Sequence, residues 1–310
     1  MKPIVTVGSI NMDLVSSAER IPRPGETLIG RTFHANSGGK GANQAVAVAR
    51  LGYPSVMLGM VGEDALGEQL LQTLQRYGVD TSQIEVASGS SGTASIVVDA
   101  EGENAIIVTP GANSWVTPSY LETKREVLSS ASLVLTQLEV PLQTVSWLAE
   151  CCAQLNIPLI LDPAPATVLP QRLLTQVTWF TPNQTEAAFY VNGELSEEET
   201  LASLFSMGLR QVVLKRGAEG VLIACDDGRR ERIRAVPVQT VDTTAAGDAF
   251  NGAFGVALMR GKTMVESAQF AAAAAALSVT RAGAQTSLAS QEEVDAVLLR
   301  SPNVVSLHSE

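Results

Sequence analysis

The sequence predicts an α/β protein that carries a second, smaller β-sheet beside its main domain. Short apolar segments rich in β-branched residues recur along the chain, and a longer amphipathic or alanine-rich stretch follows most of them, which is typical of α/β folds. Two regions break this alternation and show strand and turn patterns without helices. The chain has 310 residues, of which 45% are hydrophobic and 17% are charged. That composition indicates a compact globular protein with one large domain, alone or with a small appendage.

The strands of the main domain are predicted where short β-branched runs are bounded by turn residues. In chain order they are 4–7, 55–61, 133–138, 158–161, 177–181, 211–215 and 221–224. Helices are predicted in the amphipathic or alanine-rich stretches between them. They are 42–51, 65–77, 143–155, 185–190, 197–207, 248–259 and 264–280. The alanine run at 271–276 favours a tightly packed helix, because alanine has the highest helix propensity.

The smaller sheet is predicted from residues 13–36 and 89–110. Within the second region, 93–98 and 105–109 form a predicted hairpin around a turn at 99–104. Because neither region has a helical partner, we expect the two to pair into one sheet that acts as a lid. The predicted main domain then comprises residues 1–12, 37–88 and 111–310.

The chain is acidic, with 32 Asp and Glu residues against 21 Lys and Arg residues and a net charge of −11. It lacks the Lys- or Arg-rich run that neutralises nucleic-acid phosphates, which argues against a nucleic-acid partner. The apolar runs are too short or too broken to span a membrane. Three cysteines without disulfide or metal-ligand spacing, and a start without a signal-peptide pattern, lead us to expect a cytoplasmic protein.

The segment 242–248 (Asp-Thr-Thr-Ala-Ala-Gly-Asp) carries the strongest indication of chemistry. Its small residues let the backbone approach a ligand, and the apolar helix that follows would direct free N–H groups at an anion. Asp248 would lie beside that anion, where the helix terminus favours its ionised form, and could accept a proton from a hydroxyl. With only two histidines in the chain, a carboxylate is the expected general base. The alternative is an ordinary helix start capped by Thr243, Thr244 and Asp248.

A second glycine cluster lies at 37–43 (Ser-Gly-Gly-Lys-Gly-Ala-Asn). It differs from a Walker A loop, because Gly41 follows Lys40 where that motif needs Ser or Thr. Flexible backbone with one Lys and one Asn at a helix start suits a polyhydroxylated substrate. Asn11 and Asp13, beyond the first strand, point the same way in extended backbone and would supply a donor and an acceptor for sugar hydroxyls. The alternatives are a helix-entry turn for the cluster and turn-forming roles for the pair.

Two further segments follow predicted strands and are candidates for nucleotide contact. The stretch 181–186 (Thr-Pro-Asn-Gln-Thr-Glu) opens a helix, and its Asn183 and Glu186 either contact metal or phosphate or form a helix cap. The stretch 215–220 (Lys-Arg-Gly-Ala-Glu-Gly) joins two strands, and its glycines either admit a nucleotide or make the turn.

Together these segments resemble the ribokinase, or PfkB, family of carbohydrate kinases. Both family signatures are present, at 38–43 and 242–248, and the similarity extends through 24–27, 161–166 and 279–285 in the same order. The resemblance runs nearly from end to end. It implies a three-layer α/β/α fold with a mainly parallel central sheet and a small β-sheet lid.

The resemblance also implies a reaction, the transfer of the ATP γ-phosphoryl group to a sugar hydroxyl, with the 5-hydroxyl of ribose as the main expectation. Asp248 matches the catalytic base of the family, and the backbone N–H groups of Ala245, Ala246 and Gly247 match its anion hole. Phosphoryl transfer needs such an oriented nucleophile and such compensation of charge on the transferred oxygens. The alternatives are another sugar or a nucleoside (deoxyribose, fructose or adenosine), and a sugar-binding regulator without catalysis.

By the same resemblance the remaining polar residues belong to three binding sites. Ribose is expected against Asn11, Asp13, Gly39, Lys40, Asn43, Glu139 and Asp248. ATP is expected against Asn183, Glu186, Lys215, Gly217 and Gly220, with adenine beside the helix at 273–276. A monovalent activator, K⁺, is expected at Asp242, Thr244, Ser278, Arg281, Gly283 and Ser287, mostly through backbone carbonyls.

Three further points follow from the resemblance. Asn183 and Glu186 are expected to act on Mg²⁺ and phosphate through water. The protein is expected to form a homodimer through the lid. Two residues depart from the family pattern, because Met12 stands where a smaller residue is expected and Lys215 stands where Thr is common.

Overall fold

A computed structural model of the protein describes residues 1–300, and its strands form three sheets. In chain order the strands are β1 (Ile4–Val7), β2 (Asn11–Ser17), β3 (Thr32–Gly38), β4 (Ser55–Leu58), β5 (Met60–Gly62), β6 (Glu85–Ala87), β7 (Gly92–Val98), β8 (Asn104–Thr109), β9 (Leu133–Thr136), β10 (Leu159–Leu161), β11 (Trp179–Phe180), β12 (Gln211–Lys215), β13 (Val221–Cys225) and β14 (Arg230–Ile233). The main sheet has the order β14-β13-β12-β11-β10-β9-β1-β4, the second has the order β3-β2-β7-β8, and β5 pairs with β6.

The main sheet is parallel from β4 to β12 and becomes antiparallel at β13 and β14. All four residues of β1 are buried, and the same is true of β4 and β9 on either side of it. Strands that are buried throughout need helices on both faces of the sheet. The predicted mainly parallel sheet is therefore confirmed.

Helices cover both faces of this sheet. In chain order they are α1 (Lys40–Arg50), α2 (Ala65–Arg76), α3 (Pro118–Thr123), α4 (Arg125–Ser130), α5 (Leu142–Leu155), α6 (Gln171–Leu174), α7 (Gln184–Tyr190), α8 (Glu197–Ser206), α9 (Ala246–Met259), α10 (Met264–Ser278) and α11 (Gln291–Arg300). Val5 of β1 packs in one core with Leu148 of α5, whereas Ile4 packs in another core with Phe254 of α9. The two cores on opposite faces confirm the predicted three-layer α/β/α fold. Within residues 1–300, none of these helices is long and apolar enough to cross a membrane.

Most predicted elements of the main domain are present, with ends within two residues of those observed. The predicted strand 55–61 is wrong as one element, because it consists of β4 and β5 separated at Gly59. The first part stays in the main sheet and the second leaves it to pair with β6, so the chain changes direction between them. The short helices α3, α4 and α6 and the helix α11 were not predicted.

The second sheet contains the predicted hairpin of β7 and β8 together with β2 and β3. Strand β2 pairs antiparallel with β3 and parallel with β7. Regions 13–36 and 89–110 supply most of these residues, although β2 begins at Asn11 and β3 ends at Gly38. The exact division into a main domain and a lid stays a prediction.

Met12 of β2 lies in the hydrophobic core and not in the candidate sugar pocket. Its side chain is fully buried and packs in a cluster with Ile10, Val46 and Leu70. Because successive side chains of a strand point to opposite faces, Asn11 and Asp13 point away from that cluster. The departure from the family pattern at this position therefore lies in the core, and Met12 does not line the cavity beside Asn11.

Candidate active site

The candidate site lies at one edge of the main sheet. Four of its polar residues lie at or beyond the carboxyl ends of the neighbouring parallel strands β9 to β12: Glu139, Asp162, Asn183 and Lys215. Parallel strands end at the same edge of a sheet, so residues that are distant in sequence meet there. The first turns of α1 and α9 meet at the same edge, because Asn43 and Gln44 of α1 contact Asp248 of α9.

Asp248 is a buried carboxylate that two amide side chains hold. Its side chain accepts a hydrogen bond from Asn43 Nδ2 at 3.0 Å and another from Gln44 Nε2 at 3.1 Å. Burial raises the pKa of Asp248 to about 6, and the nearby Asp162 adds to this rise, while Lys40 and the two amides oppose it. The group is therefore ionised at neutral pH and is a stronger base than an exposed carboxylate.

The start of α9 has an unusual backbone conformation. Ala245, the residue before the helix, has φ of 61°, in the left-handed region that residues other than glycine seldom adopt. This bend exposes the first N–H groups of the helix, which have no partner within it. One of the three groups predicted for the anion hole is engaged, because the Ala246 N–H donates to the Thr243 carbonyl at 3.2 Å.

On the sugar side, Gly39 permits a very close approach of two backbone segments. Its φ is 86°, and a Cβ atom there would lie 2.7 Å from the backbone nitrogen of Asn11. The side chain of Asn11 is held in turn by Asn113, whose Nδ2 donates to Asn11 Oδ1 at 2.7 Å. Asn113 also accepts a hydrogen bond from the Ile10 N–H at 2.9 Å. Asn113 was not predicted as a site residue.

Glu139 and Asn11 line a cavity of about 360 Å³ between the main sheet and the second sheet. The carboxylate of Glu139 accepts hydrogen bonds from Ser9 Oγ at 2.5 Å and from the Lys40 N–H at 3.1 Å. Val108 of the second sheet lines the same cavity. The predicted sugar residues thus lie where the second sheet meets the main domain.

Lys40 and four carboxylates form the charged centre of the site. Burial acts to lower the pKa of the Lys40 ammonium, but the carboxylates outweigh it and raise the pKa above its usual value. In order of effect they are Asp248, Asp162, Glu139 and Glu186. Burial, with repulsion from Glu139 and Asp248, raises the pKa of Asp13 to about 7, and Lys40 opposes this rise. Lys40 therefore stays a cation among several acids.

A chain of polar contacts connects Asp248 to the candidate nucleotide region. Gln44 Nε2 donates to Asp248 and also to Asp162 Oδ2, the latter at 3.2 Å. The other oxygen of Asp162 accepts from Lys215 Nζ at 2.9 Å. Gln137 Nε2 donates to Gln44 Oε1 at 2.6 Å and fixes its orientation. Asp162 was not predicted as a site residue, although it ends a buried strand in the same way as Glu139.

A second cavity, of about 530 Å³, lies beside the start of α9. Lys215, Gly217 and Gly220 line it, as predicted for the nucleotide site, and Gly247 of α9 lies on the same wall. Its remaining lining is mostly apolar and includes the α10 residues Ala272, Ala275 and Ala276. Ala273 does not line the cavity, because its side chain is fully buried in the core beneath α10, and the adenine contact at 273–276 stays a prediction.

Asn183 and Glu186 contact each other at the start of α7. They form a reciprocal capping box, in which each side chain accepts a hydrogen bond from the other residue's backbone N–H. Asn183 pairs with Lys215 through a β-bridge. Burial raises the pKa of Glu186, with a contribution from Asp162 and opposition from Lys215. The pair therefore caps a helix and also lies next to the charged centre.

The residues predicted for K⁺ come together around Asp242. One oxygen of its carboxylate accepts from the Thr244 N–H at 2.9 Å and the other from the Gly283 N–H at 2.8 Å. Ser278 and Ser287 are fully buried and donate to nearby carbonyls. The Arg281 side chain instead pairs with Glu293. A role of Arg281 in cation binding would therefore use its backbone carbonyl.

Magnesium would need ligands from the nucleotide at this site. Within residues 1–300 there is no group of three or more His, Cys, Asp or Glu residues that could hold a metal ion. Mg²⁺ commonly keeps several waters and binds through one or two carboxylates together with substrate phosphates. Glu186, which lies close to Lys215, fits that smaller requirement.

Comparison with known proteins places this geometry in a family. The profile of pfkB family carbohydrate kinases matches residues 1–291. The ribokinase of Bacillus subtilis is 41% identical over 300 residues, which cover 96% of this chain and 100% of that protein. A deoxyribokinase of Salmonella typhi is 34% identical over 301 residues, which cover 95% and 98% of the two chains.

A solved structure shows the same similarity in three dimensions. The structure of Arabidopsis thaliana ribokinase complexed with ribose and ATP matches with a TM-score of 0.91 and 34% identity, covering 96% of this chain and 98% of that one. The match spans both sheets and the site between them. The family resemblance predicted from the two glycine-containing signatures is confirmed, and the chain belongs to the pfkB family of carbohydrate kinases.

Proposed function

We propose that the protein is an ATP-dependent kinase that transfers the γ-phosphoryl group to the 5-hydroxyl of ribose and releases ADP and ribose 5-phosphate. One observation carries this proposal. The buried carboxylate of Asp248, with its pKa raised to about 6, is held by Asn43 and Gln44 of α1 and directly follows Gly247, which lines the larger cavity at the start of α9. The choice of ribose is supported by two ribokinases that match this chain along nearly their whole length.

In the proposed reaction the 5-hydroxyl oxygen of the sugar attacks the γ-phosphorus. The new bond joins that oxygen to phosphorus, the bond from phosphorus to the bridging oxygen of ADP breaks, and the hydroxyl proton passes to Asp248. Asn43 and Gln44 hold the carboxylate in position for this transfer. The N–H groups of Ala245 and Gly247 at the start of α9 offset the charge on the transferred oxygens, and Ala246 joins them if its bond to Thr243 opens.

The sugar would be held by the residues that the resemblance assigns to it. Asn43 supports this role directly, because its Oδ1 atom is buried and has no hydrogen-bond partner within residues 1–300. A buried acceptor without a partner is costly, and a sugar hydroxyl that donates to it would remove that cost. Asp13, Glu139 and Lys40 surround the same space and match vicinal hydroxyls as acceptors and donors.

The nucleotide would occupy the larger cavity. Its volume of about 530 Å³ and its mostly apolar wall suit the nucleoside part of ATP, with the phosphates toward Gly247 and Lys215. Bound Mg²⁺ would draw charge from the phosphate oxygens, and Glu186 is the residue that would hold it through water, with Asn183 fixing that carboxylate. K⁺ would lie at the Asp242 cluster, where it would stabilise the loop before the anion hole.

The second sheet would act both as a lid and as a dimer interface. Its outer strands expose large apolar side chains, with Phe33 63% exposed, Ile106 53% and Ile107 70%. Exposed apolar side chains on the edge strands of a sheet favour association with another surface. We infer a homodimer through regions 13–36 and 89–110. A cytoplasmic location accords with free, buried cysteines at positions 151, 152 and 225.

Deoxyribose is the second candidate substrate, because a deoxyribokinase shares 34% identity with the chain along nearly its whole length. Steady-state kcat/KM for ribose, 2-deoxyribose, fructose and adenosine, with ATP and Mg²⁺, tests the choice. Ribose should rank first, and activity should fall when Na⁺ replaces K⁺. A higher kcat/KM for another acceptor would overturn the assignment of ribose as the substrate. Sugar binding without any ATP turnover would favour a non-catalytic regulator.

A further inference from the structure

Lys215 lies at the boundary between the base and the nucleotide cavity. Its ammonium pairs with Asp162 Oδ1 at 2.9 Å, and the side chains are only 14% and 3% exposed. A Cβ atom built on Gly247, in the first turn of α9, would lie 3.4 Å from Lys215 Nζ. The cation is thus next to the helix start at which the proposed reaction develops negative charge.

The wall of the nucleotide cavity offers no other charged group. Among the residues that line it in the described part of the chain, Lys215 alone carries a charged side chain. The neighbouring cation, Arg216, turns away and pairs with Glu197 and Glu219. A polyphosphate that enters this cavity would therefore meet one ammonium group, already paired with a carboxylate.

We propose that Lys215 exchanges partners when nucleotide binds, so that its ammonium leaves Asp162 and contacts the terminal phosphates. The inference rests on the proposed function, since it assumes that a nucleoside polyphosphate occupies the cavity. The flexible four-carbon stem of lysine allows the ammonium to change partner while its backbone stays in β12. A terminal phosphate carries more charge than one carboxylate and forms strong charge-assisted hydrogen bonds.

Asp162 keeps a partner after the exchange. Gln44 Nε2 donates to its second oxygen at 3.2 Å and also donates to Asp248. A buried carboxylate left without any hydrogen bond would be costly, and Gln44 reduces that cost. In the protein without nucleotide, Asp162 therefore binds the Lys215 ammonium, and an incoming phosphate must compete with it.

The competition predicts effects of opposite sign for two substitutions. Calorimetric titration of the full chain with ADP, with the non-hydrolysable ATP analogue AMP-PNP and with AMP, each with Mg²⁺, measures them. Lys215→Met should weaken the binding of ADP and AMP-PNP about 10- to 100-fold, the range for a lost charge-assisted hydrogen bond. It should leave the affinity for AMP unchanged. Asp162→Asn removes the carboxylate that competes for Lys215 and should increase the affinity for ADP at least about twofold. Lys215→Arg should retain much of the affinity.

Arg216→Met is the matched control, because it removes the adjacent cation that does not line the cavity. Its ADP affinity should stay within about twofold of the wild type. The exchange would be overturned if Lys215→Met weakened the binding of AMP and ADP equally. It would also be overturned if Asp162→Asn bound ADP more weakly than the wild type. Either result would indicate that Lys215 and Asp162 form a static structural pair. A wild-type protein that bound none of the three nucleotides would overturn the proposed function as well. Wild-type binding with an unaffected Lys215→Met variant would overturn the exchange alone.

Discussion

Asn43 in the first turn of α1 donates a hydrogen bond from Nδ2 to Asp248 Oδ2 at 3.0 Å, across 205 positions of sequence. The contact joins the two glycine-containing signatures, since Asn43 ends the first (38–43) and Asp248 ends the second (242–248). The same asparagine leaves its Oδ1 atom buried and without a partner in the described residues. One side chain therefore orients the candidate base and offers an acceptor to the sugar beside it.

The pKa values of two carboxyl groups predict how activity depends on pH. Asp13 and Asp248 have pKa values raised to about 7 and about 6, so each loses its charge as the pH falls through these values. If both must be ionised, kcat/KM for ribose should decline between about pH 8 and pH 5, first near 7 and then near 6. Asp13→Asn should remove the upper step and keep the lower one. A flat profile down to about pH 5 would contradict the assignment of Asp248.

Position 39 is predicted to require glycine, and Gly52 provides the control substitution. Both Gly39 and Gly52 have positive φ, of 86° and 69°, but only Gly39 has backbone atoms within reach of an added Cβ. Gly52→Ala should lower the free energy of unfolding by about 1–2 kcal/mol, the cost of the left-handed conformation alone. Gly39→Ala should cost clearly more and raise KM for ribose, because the added carbon displaces Asn11. Equal losses in urea unfolding of the two variants would contradict this account.

Asn113 is predicted to position Asn11 for the sugar. It is buried, accepts from the Ile10 N–H and donates to Asn11 Oδ1. Asn113→Asp keeps the acceptor and loses the donor, so KM for ribose should rise several-fold with little change in kcat, while the buried carboxylate should lower Tm. Asn113→Ala leaves the buried Ile10 N–H without a partner and should also lower stability by about 1–3 kcal/mol. A change in kcat alone would exclude a positioning role.

Ile107 tests the proposed dimer interface. It is 70% exposed on β8 of the second sheet, whereas Val168, 77% exposed, lies outside that sheet and is the matched control. Sedimentation equilibrium should show a dimer for the wild type and for Val168→Glu, and a monomer for Ile107→Glu. The charged side chain would be costly to bury in an apolar interface. A monomeric wild type, or a dimer that tolerates Ile107→Glu, would contradict the interface.

Local sequence patterns were enough to predict much of the fold and part of the site. Buried β-branched runs predicted β1 and β12 at their observed ends, because burial in a parallel sheet leaves a continuous apolar pattern. Asp248 and Gly39 were predicted because each belongs to a segment in which small residues cluster just before a helix. The split of 55–61 into two strands was missed, since both halves are apolar and only the partner strand distinguishes them.

The residues that were missed act through contacts between distant segments. Asp162, Gln44 and Asn113 show no local motif that separates them from ordinary strand-end, helix or loop residues. Their positions beside Asp248, Lys215 and Asn11 arise from the order of strands in the main sheet. Asp162 carried one usable indication, because the carboxyl ends of neighbouring parallel strands commonly form ligand sites. Asn113 carried none.

The direct test of the central claim is the turnover of Asp248→Asn with ribose, ATP, Mg²⁺ and K⁺. The substitution keeps the size of the side chain but removes the carboxylate that accepts the proton. The account predicts that kcat falls about 10²- to 10⁴-fold, as for a lost general base, while calorimetry shows ribose affinity within a few-fold of the wild type. A kcat close to that of the wild type, in a variant that binds ribose normally, would contradict the claim that Asp248 is the base.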